Sequence, residues 1–544
     1  MKTSRIILSI ALLATATANK AAAQSIDDGL RMSQEYPTGT ARFVSMGGAF
    51  GALGSDFSSI DVNPAGLGVY RSSEFTFTPS FSSTKSRSTY LGSREIETAR
   101  GFALDNMGFV LSTSPSGNPE QGVSQLNFSF GYNRSNTFKA NTLVKGRSEE
   151  SSILDYFAAQ AGTYNEDTEP WKLEFWDDSL GVWDPTIDHN APWAMILAWN
   201  NYLLGDDGAK YISALDETWG TVEQKRRSET SGNNGTYNLS MGMSIANKLY
   251  LGLSMGILTH KHEELIKHQE DADLLNVASD PIKFLKEANG PVRFNYMDYI
   301  RDFSSSGSGI NAKLGAIFTP IPMLRFGLSV HTPTFYSITH RYSYNMTSNV
   351  DTNGVTINSK LSNDQLASFT GRYKYKFETP FRLIGSAAVV LGQLGLVSVD
   401  VEHVNYSSMK FRNGEDGDDL SDLNEMAKET YRNVFNLKLG GEMVLGNVAL
   451  RAGYAFYPSP YRKIKDEDQQ FLNQNSHSHL MSIGAGYCTN IGFFIDAAYQ
   501  QALSVNQYRL YEWTDEANGI DVYSAPVKSN YSTGKFVLTC GFRF

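Results

Sequence analysis

A fourteen-strand antiparallel transmembrane β-barrel is the fold class this sequence predicts, with a small N-terminal hatch and a long helical extracellular loop. Three observations carry the prediction. Segments of about ten residues alternate apolar and polar side chains between turn residues. The last such segment closes on an aromatic residue, Phe544. After the first 23 residues no run of about 18 apolar residues is present, so no helix is available to cross a bilayer.

Composition agrees. A chain of 544 residues has room for three or four ordinary domains at roughly 150 residues each. Yet it holds 47 Gly, 28 Tyr and 31 Phe, with only 19% charged residues. Soluble domains average about 25% charged. Two Cys exclude a disulfide scaffold or a Cys-rich metal module. A net charge of −10 excludes nucleic acid as a partner, because phosphate binding needs a basic surface.

The elements follow in chain order. Residues 1–23 read as a secretory signal: Lys2 and Arg5, a short apolar run from Ile6 to Ala18, then Ala21, Ala22 and Ala23. Removing Lys2, Arg5 and Lys20 leaves −10 − 3 = −13 for the mature chain. Export also removes the supply of ATP and most nicotinamide chemistry. Residues 24–72 are Gly-rich without alternation and form the expected hatch. Residues 73–544 form the barrel. Strands are expected near 73–90, 103–113, 123–137, 234–246, 249–260, 298–319, 324–346, 366–391, 395–412, 433–446, 448–462, 478–488, 491–512 and 531–544. In one of them Phe435, Leu437 and Leu439 oppose Asn436 and Lys438; in the last, Phe536, Leu538, Cys540, Phe542 and Phe544 oppose Lys535, Thr539 and Arg543.

The connections alternate. Ser114–Gln121, Asn247–Lys248, Pro320–Met323, Gly392–Leu394, Asn447 and Thr489–Asn490 are tight and are assigned to the periplasm. The others are longer and polar, and are assigned to the outside. Inward charges (Arg325, Asp400, Glu402, Lys438, Glu442, Arg451, Asp496 and Arg543) read as a paired lumen network that anchors the hatch. The longest connection, 138–233, holds six of the seven Trp, at 171, 176, 183, 193, 199 and 219. Ser151 and Ser152 precede one short helix there, and 192–204 reads as a second, apolar one.

In the hatch, Gly47-Gly48-Ala49, Asp56 and Asn63-Pro64-Ala65-Gly66-Leu67 run directly into the first strand. Pro64 fixes φ and removes a donor, and Asn63 before it is driven extended. The segment therefore makes a rigid kink. With the signal, the strand count and the terminal Phe, these residues resemble the FadL/OmpP1/TodX family of outer-membrane transporters for hydrophobic compounds. The resemblance implies a hatch motif of Asp56, Asn63, Pro64, Ala65 and Gly66. It implies a ligand-capturing extracellular groove, for which Trp193, Ile196, Leu197 and Trp199 are the expected residues. It makes Phe542 and Phe544 an insertion signal read by the barrel-assembly machinery. The function expected is passive uptake of small hydrophobic molecules such as long-chain fatty acids or aromatic hydrocarbons. The alternative is a structural or secretion-associated accessory barrel that binds a protein partner. A monomer surrounded by outer-membrane lipid is expected, without catalytic residues, cofactor or metal. His260 and His262 share a face, as do His477 and His479, but no third ligand is fixed beside either pair.

Overall fold

A computed structural model describes residues 25–115, 122–164, 176–177, 182–183, 192–206, 211–215, 221–272, 292–352, 355–360, 369–412, 414, 417–462, 476–515 and 520–544. The barrel strands are β1 Glu74–Tyr90, β2 Ser93–Thr113, β3 Val123–Thr137, β4 Val222–Ile245, β5 Leu249–Ala272 and β6 Val292–Ile321. Next come β7 (Leu324–His331 and Phe335–Thr352) and β8 (Thr370–Glu378 and Arg382–Val390). The circuit ends with β9 Gly395–Asn405, β10 Asn433–Leu445, β11 Val448–Tyr457, β12 Ser478–Cys488, β13 Phe493–Arg509 and β14 Pro526–Arg543. Each pairs antiparallel with its sequence neighbours, and β14 pairs with β1, so the fourteen-strand sheet closes. The last closing bonds run between Ser73 and Phe544, at 3.1 and 3.0 Å.

The apolar half of the alternation faces outward. Phe75, Phe77, Phe109, Phe130, Leu239 and Ile257 are among the large exposed hydrophobics. Such a band on a closed barrel is a membrane-spanning surface, since closure leaves no strand edge unpaired. Phe542 and Phe544 lie on it and stack on each other. The six tight turns lie together at one end. At four of them the backbone bends in the left-handed region, at Ala246 and Asn247, at Gly392, at Gly446 and at Gly492.

The strands run further outward than alternation predicts. β4 and β5 pair without a break from Leu249↔Ile245 to Ala272↔Val222. Beyond the belt both faces of these strands meet polar surroundings, so no periodic signal marks them. For the same reason β2 starts at Ser93, and β1 and β2 join through a two-residue turn, Leu91–Gly92, where a longer outer loop was expected. Ala140–Ser148 pairs with β4, which narrows the 138–233 connection. β7 and β8 break at the same level around Pro333 and Pro380, which cannot donate to the ladder; Thr379 N bonds Thr334 O at 3.1 Å instead.

The hatch fills the lumen toward the end where the tight turns lie. It contains α1 (Ile26–Ser33), α2 (Ala41–Ser45) and 3-10 turns at Phe57–Asp61 and Pro64–Val69. Its backbone touches the wall backbone, which only glycine permits. Gly242, Gly252 and Gly315 lie opposite one another on β4, β5 and β6. A Cβ on them would strike Leu67, Pro64 and Asn63 respectively. On β10 and β11, Gly440 and Gly453 face Met46 in the same way. Six of the eight inward charges form ion pairs, whereas Arg325 donates to Leu53 O at 3.0 Å and Asp400 receives Gly51 N at 2.9 Å, both on the hatch backbone. Arg42 of α2 bonds Glu442 at 3.0 Å, Glu442 bonds Arg451 at 2.6 Å, and Arg451 reaches Asp496 at 2.5 Å.

Gly315→Val places carbon where the Asn63 amide sits, so it should unseat the hatch while sparing the barrel. Heat-modifiable electrophoresis should show a folded barrel, and protease should cleave within 34–72. The strain is about 1–3 kcal/mol, as for other overpacked sites. Gly385→Ala, with nothing within 4 Å of the added carbon, is the neutral control. Equal protease resistance in both variants refutes the seating.

Candidate functional site: hatch, cavities and a gap in the wall

Each hatch motif residue has a defined task. Asp56 receives the Thr40 hydroxyl at 2.7 Å and Ser58 N at 2.9 Å, joining two short helices across the segment. Asn63 Oδ1 receives Ala65 N at 3.0 Å, while its amide donates to Gly51 O at 2.6 Å and to Ala316 O of β6 at 3.2 Å. Pro64 opens the second 3-10 turn, where its missing N–H costs nothing. Ala65 packs on Tyr250 and Ile317, and Gly66 lies directly on Gly54. Sequence reading missed a further anchor, Asp61. It receives Lys313 Nζ at 2.7 Å, Asn133 Nδ2 at 2.7 Å and Asn238 Nδ2 at 2.9 Å, from three different strands. No local pattern distinguishes Asp61 from a loop aspartate.

Two cavities lie outside the hatch. The outer one, about 290 Å³, is aromatic. It is lined by Ile153, Tyr156, Phe157, Trp193, Tyr344 and Tyr511. Its walls come from α3 (Ile153–Tyr164) and α4 (Trp193–Asn200) of the long loop, laid over the strand tips. The helix α4 stops at Asn200, and Tyr202 turns the chain at φ 59°. Trp193 lines the cavity and packs edge-on against Tyr344 and Phe369. Ile196 and Leu197 are buried in the core beside it, and Trp199 packs on Tyr211. Trp171 and Trp219, and the side chains of Trp176 and Trp183, lie outside the described residues.

The loop is fastened by Glu270 of β5. That carboxylate receives the Ser152 hydroxyl, Ile153 N at 3.0 Å, Gln224 Nε2 at 2.8 Å and His268 Nε2 at 3.1 Å. It thereby caps α3, satisfying donors that a helix start leaves open.

The second cavity, about 590 Å³, lies deeper and is more polar, with Asp28, Leu30, Arg31, Tyr36, Phe303 and Tyr508 on its walls. The two cavities share Arg226, Ile266, Arg301 and Tyr344. Arg301 is matched by Glu264 at 2.8 Å. Arg226 is different. Its Nε donates to His268 Nδ1 at 3.2 Å and its Nη1 to Leu510 O, both neutral acceptors. Among the described residues no carboxylate pairs with it.

Below the second cavity the wall loses its ladder between β2 and β3, where Arg134 still pairs with Asp105 at 3.7 Å. The β2–β3 ladder runs from Thr113↔Leu126 to Asn106↔Asn133 and ends there. Outward of that point β2 pairs only with β1, and β3 only with β4 after a bulge between Arg134 and Asn136. Hatch residues occupy the missing place. Tyr36 N donates to Ser135 O at 3.2 Å, Thr38 donates to Arg134 O, and the Ser58 hydroxyl donates to Asn133 Oδ1 at 3.1 Å. A cavity of about 50 Å³ touches Pro37, Thr38, Phe43, Arg134 and Ser135 behind this seam. The gap starts within the apolar belt, since exposed Phe102 lies on β2 just outward of it.

The site and fold define a plugged fourteen-strand membrane barrel with an interrupted wall. A solved structure of a FadL homologue from Pseudomonas aeruginosa has this fold: 13% of residues are identical, over 94% of this chain and 100% of that one, at a TM-score of 0.50. The Ralstonia pickettii toluene transporter TbuX aligns over 94% of this chain and 99% of its own, at 13% identity and TM-score 0.46. The Pseudomonas putida toluene transporter TodX gives 11% identity, 94% and 99% coverage and TM-score 0.46. No family model matches the sequence, and no curated protein does. The first of these likenesses establishes that this chain has the fold of the FadL-type barrels.

Packing of the loop should depend on pH. Asp155 of α3 receives Ser213 Oγ at 2.6 Å and Ser152 N at 2.9 Å. Burial nonetheless pushes its carboxyl up from 3.8 to about 6. The packed loop therefore binds the proton more tightly than the unpacked one, and gains stability as pH falls from about 7 to 5. Amide exchange over 153–160, corrected for intrinsic rates, should slow over that range. Asp155→Asn should remove the dependence; an unchanged pH profile in this variant refutes the assignment.

Proposed function

We infer that this protein admits small hydrophobic molecules through a bacterial outer membrane, passively and without chemistry. The ligand settles in the aromatic outer cavity, moves past Arg226 into the deeper cavity, and leaves sideways between β2 and β3. One observation carries this reading. The two cavities lead inward to a hatch packed backbone against backbone on the wall, and beside that hatch the wall loses its ladder within the apolar belt. An apolar solute released there enters lipid without crossing water. The FadL-type fold supports the same direction. Trp193 serves as a capture residue at the entrance, and Ile196, Leu197 and Trp199 hold its helix in place. The hatch motif Asp56, Asn63, Pro64, Ala65 and Gly66 keeps the axis shut and the seam aligned. Phe542 and Phe544 complete the belt and serve as the assembly signal.

Arg226 narrows the ligand class. A buried guanidinium facing two cavities with only neutral partners is matched by a carboxylate. The favoured ligand is therefore an amphipathic acid, its chain against Tyr156, Phe157 and Trp193. Hydrogen bonds to charged groups contribute about 1.5–3 kcal/mol, or roughly 10–100-fold in affinity. Arg226→Met should weaken binding of a long-chain fatty acid to the purified protein by that factor, and leave a neutral hydrocarbon of equal length unaffected. Equal losses for both would show that Arg226 only supports the loop.

Two further substitutions test the route. Ser135→Trp fills the small cavity at the seam. It should abolish uptake by whole cells while binding to the outer cavities persists. Replacing Asn63 and Pro64 together should change uptake or sensitivity to hydrophobic toxins without preventing barrel assembly. Normal uptake by both variants would remove the seam and the hatch from the mechanism.

A further inference from the structure

The outer surface beside the wall gap carries charge of one sign. An aromatic row crosses the extracellular edge of the belt, with Phe102, Phe81, Phe536 and Tyr499 directly paired on β2, β1, β14 and β13. All four are exposed, Phe102 at 79%. Outward of that row, alternate residues continue to face out: Ser83, Lys85, Arg87 and Thr89 on β1, and Arg100, Thr98, Ile96 and Arg94 on β2. On β14 the same positions are Gly534, Ser532, Asn530 and Lys528. Five of these positions are cationic and none is acidic. Among the described residues none of the five forms an ion pair, and the Arg87 Nε is shielded without an acceptor.

The neighbouring strands show that this is not a general property of the outer surface. On the outward faces of β4 and β5, Arg227 pairs with Glu229 at 2.8 Å and Lys261 with Glu263 at 2.7 Å. Arg227 and Lys261 are balanced within the protein by direct ion pairs, and Lys225 and Lys267 lie near Asp298. On β1, β2 and β14 the cations are not balanced in this way.

Position indicates what balances them. Arg100 lies two residues beyond Phe102, and Lys85 four beyond Phe81. At about 3.3 Å per residue and a tilt of about 40°, they stand roughly 5 and 10 Å above the aromatic row. The polar zone of a bilayer leaflet is about 5–8 Å deep, so Arg100 stands within it and Lys85 just beyond its outer edge, within reach of a long side chain. Lys85 and Arg100 are also diagonal neighbours, because Lys85 is opposite Thr98, and diagonal side chains lie about 7–8 Å apart. Two cations so spaced, with Arg87 above them, match the phosphorylated head of a lipid whose chains run down past Phe81 and Phe102.

We propose that Lys85, Arg87 and Arg100 bind the phosphorylated headgroup of an outer-leaflet lipid, seated on β1–β2 at the lip of the wall gap. The occupant committed to is a membrane lipid, whose acyl chains supply the contact with the aromatic row. The assignment rests on the outer-membrane reading above but not on transport. A lipid held there lines the exit with ordered acyl chains and fixes the bilayer against β2, whose other edge is unpaired.

The test uses the full-length protein purified in detergent, incubated with phosphorylated lipid A and examined by native mass spectrometry. The arms are dephosphorylated lipid A and inorganic phosphate. The variant is Lys85→Gln/Arg87→Gln/Arg100→Gln. The control is Lys225→Gln/Lys261→Gln/Lys267→Gln on the balanced strands. Each cation near an anionic surface contributes about fivefold to binding, so the variant should lose at least about tenfold in lipid retention and the control little. Heat-modifiable mobility confirms that both barrels are folded. Equal retention in variant and control overturns the proposal. So does equal retention of the dephosphorylated lipid, or displacement of the lipid by millimolar phosphate alone. Fatty-acid uptake by the same variants is read separately, so a failure of the transport reading and a failure of this one are distinguishable.

Discussion

The structure depends on one constraint: a fourteen-strand barrel is too wide for its own inward side chains to fill. Eight strands enclose a space that side chains can pack, whereas wider barrels leave a channel unless something is inserted. Here the insertion is the 25–72 segment. It fits only because the wall beside it is stripped to backbone at Gly242, Gly252, Gly315, Gly440 and Gly453. Backbone contact at that range buries peptide groups, which must find partners or destabilise the fold. Asn63, Asp56 and Asp400 supply them. Asp400, for example, receives Gly51 N at 2.9 Å.

Closure of the axis and interruption of the wall are two consequences of the same insertion. The strand-like stretch from Tyr36 to Thr38 bonds to β3 where β2 no longer does. Seating the hatch and opening the seam are therefore coupled through shared hydrogen bonds. Asn133 makes this concrete, since it accepts from Ser58, donates to Asp61 and receives Asn106 Nδ2 at 2.7 Å. A shift of the hatch must be felt at the last rung of the β2–β3 ladder. Polar side chains at that junction give the seam discrete partners to exchange, which an apolar contact lacks.

Much of the architecture was legible in the sequence, and the reason is period two. Where one face meets lipid and the other the lumen, every strand declares itself, and all fourteen were found within the belt. Legibility ends where the two environments become alike. The outward halves of β4 and β5 are largely polar on both faces, and the Leu91–Gly92 turn lies between two such stretches. The hatch motif was readable because Pro64 and its neighbours impose local geometry. Arg226, Asp61 and Glu270 were not, because each is an ordinary charged residue in a polar stretch and acquires its role chiefly from partners more than 40 residues away.

The sequence by itself determined the membrane barrel, the number of strands, the gathering of the short turns at one end and the presence of a segment inside the lumen. These follow from side-chain periodicity and turn chemistry, which act over a few residues. Tertiary structure alone decided where the wall parts, which cation faces both cavities without a carboxylate, and which face of the outer surface carries unbalanced charge. Those are properties of neighbours brought together by closure of the sheet, and neighbours across a barrel leave no trace in local pattern.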